Sequence, residues 1–413
     1  MKTTSFLTIL IFFNLFSFKT FAQGEAAVPF LLLQPSPSLS AMGQTGTAMP
    51  TEDPFGFLWN PAQLGYTSQT NNFSFIFYPS KLEWLPQLNL DLELKGIAFN
   101  VGYNFEDLIG IPIGFGFGYS NPEFDFGELG GNDSYNAYSF GLGIDYYVQL
   151  NLGYTVKDIT SIIPNNPEGY PLGELKAETT VNDFGILLNV PIIKLINENL
   201  ILPIDGSLNG KPKFNFSLGY SKSNIGDKIS YVDEWQADPL PRMDRLGYGI
   251  RTGFDLITDD LKINAFNLSF TVEADDILVG REAVVTNGDT TMTSVYQSTL
   301  SDLKFWKNIV LIEGDEKIVS HAGTKLEFVE TVSLLFGHFS GRGFDQRKTN
   351  GYELRAKGLL KLFALWAKDP ITDFLRDHID IRYYSTDYFN YHPLETKMTG
   401  LTFYFHNLNE LFE

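Results

Sequence analysis

Large and small residues alternate along much of this chain, and that two-residue period constrains its fold more than any other feature. Ile97, Phe99, Val101, Tyr103 and Phe105 alternate with Ala98, Asn100, Gly102 and Asn104. Ile113, Phe115, Phe117 and Tyr119 alternate with Gly114, Gly116, Gly118 and Ser120. Tyr138, Phe140, Leu142 and Ile144 do the same with Ala137, Ser139, Gly141 and Gly143. Such a period belongs to β-strands whose two faces meet different surroundings. A soluble sandwich turns its large residues inward, whereas a membrane barrel turns them out to lipid. Here the small face is Gly, Ala, Ser and Asn rather than Lys, Glu and Thr, which suits a lumen better than a solvated exterior. Tyr78, Tyr119, Tyr154, Tyr220 and Tyr404 fall near strand ends, where an aromatic girdle would lie.

The expected fold is therefore all-β: a transmembrane antiparallel barrel of about 14 strands. The strands are expected over 72–79, 95–105, 111–120, 136–145, 147–157, 180–190, 212–222, 245–257, 261–273, 319–329, 331–340, 350–361, 378–385 and 396–407. Most have the ~9–11 residues that cross a bilayer at a tilt. Barrels of this kind alternate short periplasmic turns with longer outer loops. The even-numbered connections 106–110, Tyr146, 258–260 and Glu330 are short, and the odd-numbered 121–135, 158–179, 223–244 and 274–318 are long. The connections 191–211 and 362–377 break the pattern. In the second, Asp369-Pro370 reads as a helix N-cap followed by proline at the first helical position. A short helix at the periplasmic interface and a strand running on through Leu365 are both compatible with the residues. The 274–318 connection carries Asn287-Gly288-Asp289, a hairpin turn flanked by strand-like residues.

Residues 1–22 read as a signal peptide. Lys2 precedes an apolar core from Phe6 to Phe18, and Thr20-Phe21-Ala22 ends in a small residue suited to cleavage. The chain has no cysteine, which excludes disulfides, thiolate chemistry and a lipidated N-terminal cysteine. Its net charge of −19 argues against nucleic acid as a partner.

Catalytic motifs are sparse. The five histidines, His321, His338, His378, His392 and His406, show no metal-ligand spacing. His338 and Ser340 would share one strand face, as a base and nucleophile must, but any His-x-Ser in a strand does so. Asp53, Asp275 and Asp276 do not fit a calcium loop. There is no nucleophile elbow and no phosphate loop. The reading is of a protein that is not an enzyme, with no catalytic residue, no cofactor and no metal.

The stretch 35–64 is glycine-rich, small and aperiodic. Its Ser40-Ala41-Met42-Gly43-Gln44-Thr45-Gly46-Thr47-Ala48, then Asp53, then Trp59-Asn60-Pro61-Ala62-Gln63-Leu64, resembles the N-terminal signature of the PorV/PorQ family of outer-membrane barrels associated with type IX secretion. A weaker echo lies at His321–Phe328. The Asn-Pro-Ala element is shared with FadL-type transporters of hydrophobic compounds, where it belongs to a plug in a fourteen-stranded barrel. Gln63 departs from the family pattern, which usually has glycine there. The resemblance implies a plug over 23–71, a barrel over 72–413, and location in the outer membrane of a Gram-negative bacterium. Gly43, Gly46, Asp53, Trp59, Asn60, Pro61, Ala62 and Leu64 would be the motif residues of that plug, entering from the periplasmic side. It also implies a role in type IX secretion, with outer-membrane lipid and secretion-system proteins or secreted cargo as partners. The alternative is a FadL-like transporter with a hydrophobic ligand.

Overall fold

In the computed structural model, the described residues are 26–165, 173–233, 235, 237–259, 261–286, 289–367, 369–389, 392 and 394–411. The leader at 1–22 and the turn residues Asn287 and Gly288 lie outside them.

Fourteen antiparallel strands close into a barrel. They are β1 (Asn72–Phe77), β2 (Ile97–Asn104), β3 (Ile113–Ser120), β4 (Asn132–Asp145), β5 (Gln149–Asn165), β6 (Gly173–Pro191) and β7 (Leu208–Gly226). The other half is β8 (Met243–Ile257), β9 (Lys262–Ile277), β10 (Ile318–Phe328), β11 (Val332–Gly341), β12 (Phe344–Arg355), β13 (Ile379–Tyr388) and β14 (Thr396–Phe405). Each strand pairs with its sequence neighbour, and β1 pairs with β14 to close the ring, Phe75 opposite Phe403. Closure leaves no edge of unpaired backbone, which is the condition for strands to stand in lipid.

The pleat sorts side chains as the alternation requires. Val101, Phe115, Phe140, Leu152, Phe336 and Leu354 project outward, exposed. Asn100, Ser139, Asn151, Thr155, Ser217 and Ser333 point inward and are buried. A continuous apolar exterior around a polar interior is a membrane-spanning surface, since in water it would leave apolar area uncovered on all sides.

Two of the five tyrosines expected in a girdle face the lumen instead. Tyr404 is fully buried, with the Arg382 guanidinium 4.1 Å from its ring centre. Tyr78 donates its hydroxyl hydrogen to the Pro35 carbonyl at 2.5 Å. Position along a strand does not decide the face, and both residues fall on the inward parity. The strands also run further than the alternation marks: β5 and β6 pair from Gln149↔Asn189 out to Asn165↔Gly173. Beyond the membrane both faces meet water, so the two-residue contrast fades while the pairing continues. At Arg355 the strand expected to reach 361 gives way to a helix, Ala356–Ala364, followed by a second, Pro370–His378. Asp369 caps the second helix through the Ile371 and Thr372 amides. The 274–318 connection holds a hairpin, Val279–Thr286 with Asp289–Tyr296.

Residues 26–71 run through the lumen. Ala27 donates its amide hydrogen to the Pro239 carbonyl at 2.8 Å, in a long loop. Asn104, at the opposite, short-turn end, donates to the Asn71 side chain. The chain thus descends from the long-loop mouth and turns into β1 at the short-turn end, rather than entering from the short-turn side. Its bed is a glycine belt. Gly102, Gly116, Gly141, Gly153 and Gly185 stand directly opposite one another across β2 to β6. A Cβ added to any of these would come under 3.0 Å from atoms of residues 60–68.

The belt predicts a specific failure. Gly153→Val should leave the barrel able to close, seen as heat-modifiable migration on gels, but unable to seat the segment. Overpacking of this kind costs about 1–3 kcal/mol or more where backbone cannot yield. Because the chain has no cysteine, the test is labelling of a buried Thr47→Cys probe by a water-soluble maleimide. The probe should be silent in the parent barrel and reactive in Gly153→Val.

Candidate functional site: the locked lumen

The segment is held by different chemistry on the two sides of the barrel. Against β2 to β6 it docks backbone to backbone. Asn60 donates to the Thr47 carbonyl at 2.7 Å and the Ile186 carbonyl at 3.2 Å, and accepts from the Ala62 amide at 3.0 Å. Pro61 follows and holds Asn60 out of the helical region, so the Asn60 amide spans segment and wall. Ala62 and Leu64 are fully buried, and Leu64 lies against Gly116 and Gly141.

Against β8 to β13 the segment meets buried charge. The Glu273 carboxylate accepts from three consecutive amides, Gly46 at 3.0 Å, Thr47 at 2.9 Å and Ala48 at 3.0 Å. Small residues at 46–48 let these amides converge on one anion, as in other backbone nests. Gly43 has φ +77°, and an added Cβ would strike the Ala322 and His338 carbonyls. Its amide donates to the Thr349 hydroxyl at 3.0 Å, and its carbonyl lies 2.7 Å from His321 Nδ1. Trp59 lies under the Arg245 guanidinium at 3.8 Å, and its carbonyl accepts from Ser221 at 2.9 Å. Arg245 and His321 share Asp275, at 3.4 and 3.5 Å.

Asp53 stitches the segment to itself, accepting from the Ser36 hydroxyl at 2.6 Å and the Phe55 amide at 2.9 Å. Burial pushes its carboxyl up to about 6, against these two hydrogen bonds and Arg382, which favour the charged form; nearby Glu353 adds to the rise. Burial acts in the same direction on Glu52, but Arg382 at 2.5 Å, together with His406 and Arg355, more than offsets it and holds that carboxyl well below its usual range. Gln63, which departs from the family pattern, staples the segment to itself. Its amide donates to the Gly46 and Met49 carbonyls and accepts from the Thr51 amide.

The motif residues at 43–64 therefore all lie in the lumen, and each touches the wall or another part of the segment. The sequence reading did not single out their partners Glu273, Arg245, Thr349 and Arg382. The signal available was a charged residue on the small face of an alternating strand, as at Thr271-Val272-Glu273-Ala274-Asp275. His338 and Ser340 lie on the outward face of β11. Ser340 accepts from the Gly314 amide at 3.3 Å, and no hydrogen bond joins it to His338 among the described residues.

Two spaces flank the lock. At the short-turn end, a cavity of about 230 Å3 is bordered by Glu52, Arg251, Asn264, Lys325, Glu327 and Arg355, among others. At the long-loop end, Phe30 packs on Phe124 and Tyr135, beside Trp84, Phe339 and Tyr388. One end is polar and charged, the other aromatic.

No protein-family model matches the chain, and no curated protein matches it. Among solved structures it is similar to the toluene transporter TbuX of Ralstonia pickettii, at 12% identity and TM-score 0.39 over 90% of this chain and 97% of that one. It is also similar to the toluene transporter TodX of Pseudomonas putida, at 8% and 0.39 over 91% and 98%. A third is a Pseudomonas aeruginosa FadL homologue, at 7% and 0.36 over 90% and 96%. The chain's own geometry decides where it stands. That geometry is an outer-membrane barrel: closed antiparallel strands, an apolar exterior and a filled lumen, the form in which strands cross the outer membrane of Gram-negative bacteria.

Two outcomes test the lock. Glu273→Ala leaves three buried amides without an acceptor, a loss of several kcal/mol at about 1–3 kcal/mol each. The Thr47→Cys probe should become reactive in that variant, and Glu273→Gln should be intermediate. Asp53 carries the second. Its docked form holds a proton more tightly than a free carboxyl does, so docking strengthens as pH falls through about 6 and is weakest above it. The melting temperature of the parent should rise relative to Asp53→Asn between pH 7.5 and 5.

Proposed function

We propose that residues 23–71 are a plug and that the barrel is a gated carrier, taking up small hydrophobic molecules at its long-loop mouth. The observation that supports this is the aromatic cluster at that mouth. Val28, Phe30 and Leu31, near the start of the described segment, pack there with Trp84, Phe124 and Tyr135. It is an apolar site filled by the chain's own side chains. A hydrophobic solute of similar size competes for the same contacts, worth about 25 cal/mol per Å2 of apolar surface, and by taking them frees the top of the plug. The solved structures to which the chain is similar include toluene transporters.

A second reading, a PorV/PorQ-type component of type IX secretion, has its own support. The space left at the short-turn end is charged rather than apolar, and β2, β3 and β4 pair without a break. Neither offers a hydrophobic molecule an exit. A barrel that docks protein partners needs none, and the long-loop end displays Trp235 and Trp306 to solvent.

The two readings part on one pair of measurements. A carrier should bind toluene or laurate with a change in Trp84 fluorescence, and Phe30→Ala should tighten binding roughly tenfold, the equivalent of about 1.4 kcal/mol. No binding by either protein would exclude the carrier. Co-purification of secretion-system proteins from gently solubilised outer membranes would then carry the docking reading.

A further inference from the structure

The two helices between β12 and β13 are built inside out for a protein in water. Leu359, Leu362, Phe363 and Trp366 follow the i, i+3, i+4, i+7 spacing of one helical face, and all four are exposed, Trp366 at 89%. The opposite face is the one that meets protein. Gly358 sits on the turn between β10 and β11, its amide donating to the Glu330 carbonyl at 3.0 Å. Lys361 pairs with Glu330 at 2.6 Å. The second helix continues the apolar surface with Ile371 and Phe374, exposed at 72% and 44%. Asp373, Arg376 and Asp377 form its polar side, joined by ion pairs at 2.8 and 2.6 Å.

We infer that this helical pair is an in-plane anchor in the phospholipid leaflet at the short-turn end, with Trp366 at the depth of the headgroups. Three observations commit the occupant to lipid. The apolar face is continuous with the lipid-facing wall, because the first helix is clamped to the 329–331 turn, flanked by exposed Phe328, Val329 and Val332. The polarity is that of an interfacial helix, with its charges turned to protein or water and its apolar stripe outward. The same rim is apolar on other sides of the barrel: Leu108, Ile109, Tyr146, Tyr147, Ile196 and Ile204 are all exposed in connections at the short-turn end. A single protein partner covers one side, whereas a membrane surface meets the rim all the way round.

The test uses the full mature barrel in vesicles of phosphatidylethanolamine and phosphatidylglycerol. The emission lost in Trp366→Phe isolates the Trp366 signal. Lipid brominated at acyl positions 6 and 7 should quench that signal, since an interfacial helix buries its apolar face at the headgroup–acyl boundary, and aqueous iodide should leave it unchanged. Quenching by iodide and not by brominated lipid would overturn the inference. A nitroxide on Ile371→Cys gives an independent reading: oxygen should reach it and a water-soluble nickel chelate should not, and the reverse would overturn the inference. Heat-modifiable migration is recorded for every variant, so failure of the anchor is distinguishable from failure of the barrel to insert.

Discussion

The arrangement depends on bare backbone. Five glycines, one from each of β2 to β6, meet in register around a third of the wall, and the segment lies directly on them. Any side chain there would hold the segment off by more than an ångström, and the hydrogen bond from Asn60 to the Ile186 carbonyl of the wall would be lost. The same glycines weaken the strands that carry them, since glycine costs more entropy to order than any other residue. Those strands recover stability by pairing on both sides and by being backed from within. Wall and segment are thus complementary in shape along this third of the barrel.

On the far side of the lumen the balance changes from shape to charge. Glu273, Asp275, Arg245, His321 and Arg382 are buried, and an unpaired charge there is costly. Each is met by an opposite charge, a ring face or a run of amides. Glu273 is the clearest case, because the three amides it accepts from belong to the segment. If the segment were absent, a buried carboxylate would face an opened lumen. The segment and the inner charges therefore specify one another's position, much as the glycine belt specifies its height.

Legibility in the sequence followed the same division. Alternation between faces exposed the barrel, the strand number and most of the short turns, because lipid on one side and a small-residue lumen on the other is a strong contrast. The contrast ends where both faces meet water, so the polar extensions of β5 and β6 read as loops. Tyr78 and Tyr404 sit near strand ends, as girdle residues do, but their parity turns them inward. The glycines were visible one strand at a time, but their alignment into a belt is a property of register, which hairpin lengths alone do not reveal. Glu273 and Arg245 were hidden for the converse reason: a charge within a strand signals an inward face without naming what it holds. The helix at Ala356 was obscured because Leu359, Leu362 and Phe363 suit a lipid-facing strand nearly as well as a lipid-facing helix.

The unequal attachment of the segment also limits how it can move. Between residues 41 and 65 it is fastened by the belt, by the amides on Glu273, by Thr349 and by the Asn60 and Gln63 side chains. Withdrawing that part would strand buried polar groups on both surfaces at once. Between residues 27 and 33, by contrast, the one backbone hydrogen bond to a loop among the described residues is Ala27 to Pro239, and the rest is apolar side-chain packing. Apolar contacts are non-directional and can be exchanged one for another. In the carrier proposed above, opening would therefore begin at the long-loop mouth and stop short of Pro35 and Pro37, whose carbonyls are held by Tyr78 and Thr386 of the wall.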